Sequence, residues 1–159
     1  MGKEAKTNAM RILEKNKIPY EALFYECDEF VDGMHCAAAS GAAVEQSYKT
    51  LVMEGKSRQY YVFVIPINRE VDLKKAAKAV GEKSIQMVPV KELTAITGYV
   101  RGGCSPIGIK KKFPTVIQEN AKNFEKIYVS GGRIGLSIKL APLELAAVTQ
   151  ATFADVLKP

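Results

Sequence analysis

Tyr48-Lys49-Thr50-Leu51-Val52-Met53 runs into Glu54-Gly55-Lys56-Ser57, and Gln59-Tyr60-Tyr61-Val62-Phe63-Val64-Ile65-Pro66 follows. Two stretches rich in β-branched and aromatic residues, separated by a short glycine-containing turn, predict a β-hairpin. The second stretch is the more apolar, so the pair is expected at the centre of a sheet.

Working back from the hairpin, Thr7 can cap a helix over Asn8–Asn16, with Ala9, Ile12 and Leu13 facing inward and Lys17-Ile18-Pro19 ending it. Tyr20–Tyr25 alternates as a strand does, and Asp28–Gly33 is acidic and reads as a loop. Met34–Ala39 and Ala42–Glu45 read as short helix around Gly41. Working forward, Asp72 can cap a helix over Leu73–Val80 that Gly81 closes, its buried stripe being Leu73, Ala76, Ala77 and Val80. A short strand is expected over Ser84–Val88 and a short helix over Val90–Ile96. Phe113–Glu119 and Phe124–Val129 read as strands with a turn at Asn120–Asn123, and Leu136–Leu140 as another. Pro142 starts a helix through Gln150, and Phe153–Leu157 packs as a tail. The expected fold is α/β: a mixed, largely antiparallel, barrel-like sheet flanked by helices, with residues 1–159 as a single domain.

The chain of 159 residues is 47% hydrophobic and carries a net charge of +6, enough for a core and suited to an anionic partner. It has no apolar run long enough to span a bilayer and no apolar leader. Cys27, Cys36 and Cys104 cannot all pair within one chain, so free thiols in a reducing cytoplasm are expected. Cys27, His35 and Cys36 lack a fourth zinc ligand, and no metal or other cofactor is expected. His35 is the single histidine, which leaves little material for a nucleophile–histidine–acid triad. No glycine-rich run ends in Gly-Lys-Ser or Gly-Lys-Thr, so a Walker phosphate loop is excluded.

Three places could carry chemistry. Gly98–Lys112 holds four of the twelve glycines, the Ser105-Pro106 pair and the cations Arg101, Lys110, Lys111 and Lys112. Without a Cβ at Gly102 or Gly103 a ligand can reach the main chain, whose amides can point at it. The residues allow a backbone-built pocket with a cationic rim, or a tight surface turn with solvated lysines. Ser130-Gly131-Gly132-Arg133 offers a second amide-lined corner. Lys49 interrupts an otherwise apolar strand, either snorkelling at an edge or projecting an ammonium into a cleft. Cys104, near Arg101 and Lys110, is either an activated thiolate or a small apolar core residue.

Tyr48-Lys49-Thr50-Leu51, Leu73–Lys78, Thr97-Gly98-Tyr99-Val100, Gly102-Gly103-x-Ser105-Pro106-x-Gly108, Lys110-Lys111 and Tyr128-Val129-Ser130-Gly131-Gly132 occur in this order. As an ordered set they resemble the YbaK family of free-standing aminoacyl-tRNA deacylases, relatives of the editing domain inserted in bacterial prolyl-tRNA synthetases. Cys104 is a departure from the aliphatic residue that the resemblance implies there. The likeness runs from about Ala9 to Leu157. It implies clearance of Cys-tRNA(Pro), with the substrate's own thiol attacking the ester. It also implies Lys49, Gly102, Gly103 and Ser130 as catalytic positions. Tyr25, Thr50, Ser105, Pro106, Gly131, Gly132 and Arg133 would hold the aminoacyl end. Arg101, Lys110, Lys111 and Lys112 would hold tRNA phosphates. The implied partners are the acceptor end of a tRNA and prolyl-tRNA synthetase, with no membrane and no metal. A deacylase of another mischarged tRNA, such as Ala-tRNA(Pro), and a non-catalytic tRNA- or synthetase-binding module are the alternatives.

Overall fold

The computed structural model describes residues 6–24, 44–101, 103–109 and 111–159. Tyr25, Cys27, His35, Cys36, Gly102, Lys110 and the helix expected over Met34–Ala39 lie outside these; of Ala42–Glu45, only Val44 and Glu45 fall within them.

The hairpin forms as expected. Strand β2 (Tyr48–Gly55) pairs antiparallel with β3 (Tyr60–Pro66) in unbroken register from Tyr48↔Pro66 to Glu54↔Tyr60. It lies inside a five-stranded sheet of order β4-β2-β3-β5-β8, where β4 is Ile85–Met87, β5 is Thr115–Gln118 and β8 is Thr152–Ala154. β4 pairs antiparallel with β2, whereas β3, β5 and β8 run parallel. Three further strands, β1 (Glu21–Phe24), β6 (Ile127–Ser130) and β7 (Leu136–Leu140), make an antiparallel sheet of order β1-β7-β6. The two sheets meet at an isolated parallel bridge, Ser47↔Tyr128. The expected barrel-like curl therefore stops short of closure among the described residues. β2 gives one edge to β3 and part of the other to β4, so only that one bridge reaches β6.

Four helices flank the sheets among the described residues: α1 (Asn8–Lys15), α2 (Leu73–Val80), α3 (Val90–Thr97) and α4 (Pro142–Thr149). Asp72 caps α2 by accepting from the Lys74 and Lys75 amides, and Gly81 ends it at φ +75°. Ala76 and Ala77 are buried as expected, but Leu73, in the first turn of α2, is exposed. Asn120–Asn123 is part of a 3-10 helix, Glu119–Asn123. The C-terminal tail also does more than pack, since β8 adds to the sheet beside β5.

Strict alternation along β2 sorts its side chains between two cores. Tyr48 and Val52 face one side with Val62 and Val64, against α1, α4 and the smaller sheet. Leu51 and Met53 face the other with Tyr61, Phe63 and Ile65, under α2 and Val156-Leu157.

Candidate functional site

The two glycine-rich segments touch through their main chains. A Cβ built on Gly103 would lie 2.8 Å from the Arg133 Cα and 2.9 Å from the Ile134 nitrogen, so only glycine fits there. Around this contact the first segment closes on itself. The Gly103 amide donates to the Val100 carbonyl (2.9 Å), and the buried Tyr99 hydroxyl donates to the Ile107 carbonyl (2.6 Å). Ser105 is fully buried, and its Oγ accepts from the Ile107 amide (3.2 Å). Pro106 is buried beside it. The reading as a solvated surface turn thus fails for the buried Gly103–Ile107, while Arg101, Lys111 and Lys112 are exposed.

The second turn is held from three sides. The Gly131 amide donates to Leu136 O (2.9 Å), Ser130 Oγ accepts from the Gly132 amide (3.4 Å), and the Thr7 hydroxyl donates to Gly131 O (2.6 Å). Thr7 Oγ1 also caps α1 by accepting from the Met10 amide (3.3 Å). Nothing local in the sequence could have found this tie, because its partners lie 124 positions apart.

β2 brings the remaining groups. From the Ser47↔Tyr128 bridge, β2 and β6 run in the same direction, so Lys49 and Ser130 are each two residues beyond it. Thr50 shares a face with Tyr48 and Val52, and Val52 packs in one cluster with Tyr99 and Cys104 of the glycine segment. The Thr50 hydroxyl is buried and has no hydrogen-bond partner among the described residues. Such a group costs about 1–3 kcal/mol if nothing satisfies it. Lys49 leaves on the opposite face, with Leu51 and Met53, and is half-buried. Burial pushes its ammonium pKa below the usual lysine value, and the nearby Glu70 charge partly restores it. Thr50 therefore lies on the face of β2 that carries Val52, and Lys49 on the other face.

Cys104 behaves as a core residue. Its thiol is buried against Val52, Val88 and Tyr99, and burial pushes its pKa up to about 11 despite a hydrogen bond with Thr97. At neutral pH it is therefore a thiol and not the activated thiolate. The Arg133 guanidinium lies over the Phe24 ring, 5.8 Å from its centroid, at the end of β1.

A separate polar cavity of about 530 Å³ opens between Arg69, Lys122, Asn123 and Asp155. Its polar groups are largely committed to one another: Lys75 pairs with Asp155 (3.0 Å), Arg69 donates to Lys158 O, and Gln118 donates to Asp155.

The family described as "Aminoacyl-tRNA editing domain" matches residues 34–148. The chain belongs to that editing family. A protein of Enterococcus faecalis (strain ATCC 700802 / V583), named "Putative Cys-tRNA(Pro)/Cys-tRNA(Cys) deacylase EbsC", is 44% identical over 154 residues. That alignment covers 96% of this chain and 94% of the relative. A solved structure described as "a putative trans-editing enzyme for prolyl tRNA synthetase" superposes with a TM-score of 0.83 at 25% identity, covering 98% of this chain and all of the other. A hypothetical protein of known structure shares the fold at TM-score 0.87 and 22% identity, over 96% of this chain and 100% of its own. The editing-family match takes in both glycine segments and β2, the three pieces that converge here. Among the described residues no helix is long and apolar enough to cross a membrane.

Proposed function

We propose that this chain acts in the cytoplasm as one editing domain that deacylates mischarged Cys-tRNA(Pro). The observation that carries the reading is the contact of Gly103 with the Arg133 backbone, which brings the two glycine-rich turns together. Such a backbone-lined corner is suited to an ester carbonyl and the group beside it. The similarity to a relative named for Cys-tRNA(Pro) and Cys-tRNA(Cys) supports the choice of cysteine.

Discrimination explains why such a site is needed. Cysteine and proline are close in size, and a small apolar difference is worth only about 1–3 kcal/mol to a synthetic pocket. A second site that destroys the wrong product supplies the rest.

The nucleophile comes from the substrate. The cysteinyl thiol attacks its own ester carbonyl, and the bond from that carbon to the terminal ribose oxygen breaks. The thiol proton passes to the departing oxygen, and water opens the resulting thiolactone to free cysteine. The enzyme then needs only to fold the aminoacyl group on itself and stabilise the oxyanion, and orientation alone is worth up to about 7–11 kcal/mol in favourable intramolecular cases. Main-chain groups at Gly102, Gly103 and Ser130 would face the carbonyl. Tyr25, Thr50, Ser105, Pro106, Gly131 and Gly132 would hold the aminoacyl group. Lys49 would hold the terminal ribose-phosphate from the flank. Arg101, Lys110, Lys111 and Lys112 would meet acceptor-stem phosphates, and Arg133 the terminal nucleoside. Prolyl-tRNA synthetase, as the source of the error, is the protein partner this reading requires.

The test is deacylation of Cys-tRNA(Pro), Ala-tRNA(Pro), Pro-tRNA(Pro) and Ser-tRNA(Pro). Cysteine alone should be released faster than spontaneous decay. Equal decay of Cys-tRNA(Pro) with and without protein removes the proposal. Release of alanine or serine as fast as cysteine removes the thiol mechanism.

A further inference from the structure

Phe24 is half-exposed, at 50%, and is the one aromatic ring among the large hydrophobic side chains left exposed in the described residues. The others, Leu73, Met87, Val90, Val100 and Leu143, are aliphatic or thioether groups. Its position ties it to the site. Phe24 stands opposite Leu136 in the β1–β7 register, and the Leu136 carbonyl accepts the Gly131 amide (2.9 Å). The Arg133 guanidinium lies over the ring at 5.8 Å, and the backbone of that same arginine is what Gly103 packs against. Arg133 thus links the ring, through its guanidinium, to the contact between the glycine turns, through its backbone.

An exposed phenyl ring beside a guanidinium is the arrangement that single-stranded nucleic acids use for stacking. A base supplies a flat π face, and arginine supplies both a planar cation for that face and a donor for the adjoining phosphate. We propose that Phe24 and Arg133 form a platform on which the terminal nucleobase of the tRNA stacks, fixing the ribose that carries the ester over the glycine turns. The proposal rests on the deacylase reading above. Stacking tolerates any base, so the platform positions the terminal nucleoside while the amino acid is selected elsewhere.

Two measurements on the full chain separate this proposal from the reading it rests on. The first uses free adenosine, with no ester to cleave. Adenosine should shift the Phe24 ring protons by NMR through its ring current, and methyl riboside should not. The second compares the cysteinyl ester of adenosine with that of methyl riboside. The native chain should favour the adenosine ester by roughly tenfold, in KM rather than kcat, the scale of one base–aromatic stack. Phe24→Ala should erase that preference, Phe24→Trp should keep it, and all three proteins should cleave the riboside ester alike. The platform is overturned if adenosine leaves the Phe24 signals in place, if Phe24→Ala still prefers the adenosine ester, or if it slows both esters equally. Adenosine shifts at Phe24 without cleavage of either ester or of Cys-tRNA(Pro) keep the platform and remove the deacylase.

Discussion

Gly103 faces the backbone of Arg133 so closely that a methyl group on its Cα would lie 2.8 Å from the Arg133 Cα. Gly103→Ala must therefore push the two turns apart. The expected cost is about 1–3 kcal/mol of stability, as for overpacking elsewhere. Activity should fall further, by roughly 10²-fold, because a displacement near 1 Å misaligns the reacting atoms. Gly81→Ala is the control. Its φ of +75° strains any side chain, but nothing lies within 4 Å of the new Cβ. That variant should lose about 1–2 kcal/mol with kcat unchanged. Urea unfolding and deacylation rates on both variants check the contrast, which fails if Gly81→Ala slows turnover as much as Gly103→Ala.

Lys49 is half-buried, and its charge is disfavoured there. Replacing it with methionine should remove an energetic burden from the fold while lowering kcat/KM by roughly 10²-fold. The stability gain should be only a fraction of a kcal/mol, since solvent screens the exposed half. The sign with pH follows from the depressed pKa. The folded chain gives up the Lys49 proton before the unfolded chain does, so this group's penalty is present at neutral pH and fades as pH rises toward the lysine value of 10.5. Thermal unfolding of the two proteins from neutral to alkaline pH should therefore converge. A Lys49→Met protein with native activity would place the lysine outside the mechanism.

Burial pushes the Tyr48 and Tyr99 hydroxyls up to about 12, from an ordinary 10. These groups stay protonated in the fold after they would ionise in the unfolded chain. Their contribution is complete below pH 10 and is lost as pH rises from about 10 to 12. Tyr99→Phe should flatten that loss. At neutral pH it should also cost about 1–3 kcal/mol, because the buried Ile107 carbonyl loses its donor. Chemical denaturation of Tyr99→Phe and the native chain at pH 8, 10 and 11 reads both effects.

Cys104 should be silent. With its thiol pushed up to about 11, alkylation at neutral pH should proceed only on unfolding, and Cys104→Ser should keep native turnover. Rapid alkylation of Cys104 in the folded chain, read by mass spectrometry, would contradict the burial described here.

The hairpin, the Asp72 cap and the Gly81 stop were legible because each is a local choice of backbone geometry written within a few residues. The two glycine turns were legible as turns for the same reason. Their contact was not, because Gly103 and Arg133 meet only after β5, β6 and the intervening 3-10 helix have carried the chain across both sheets. The barrel-like expectation fell short at the same level, since pairing between sheets depends on which edges of β2 are already taken. Lys49 drew notice as a cation in an apolar strand, whereas Thr50 suited that strand and hid its orphaned hydroxyl. Alternation puts the two on opposite faces of β2, and their nearness to the second glycine turn follows only once β6 is known to lie beside β2. Phe24 gave no signal at all, because a phenylalanine ending a strand is expected to be buried.

One oxygen atom, on Thr7, fastens the leading helix and the Gly131 turn together. Loss of that one side chain would release the helix cap and the Gly131 carbonyl together, so a change at Thr7 should loosen a turn 124 positions away in sequence.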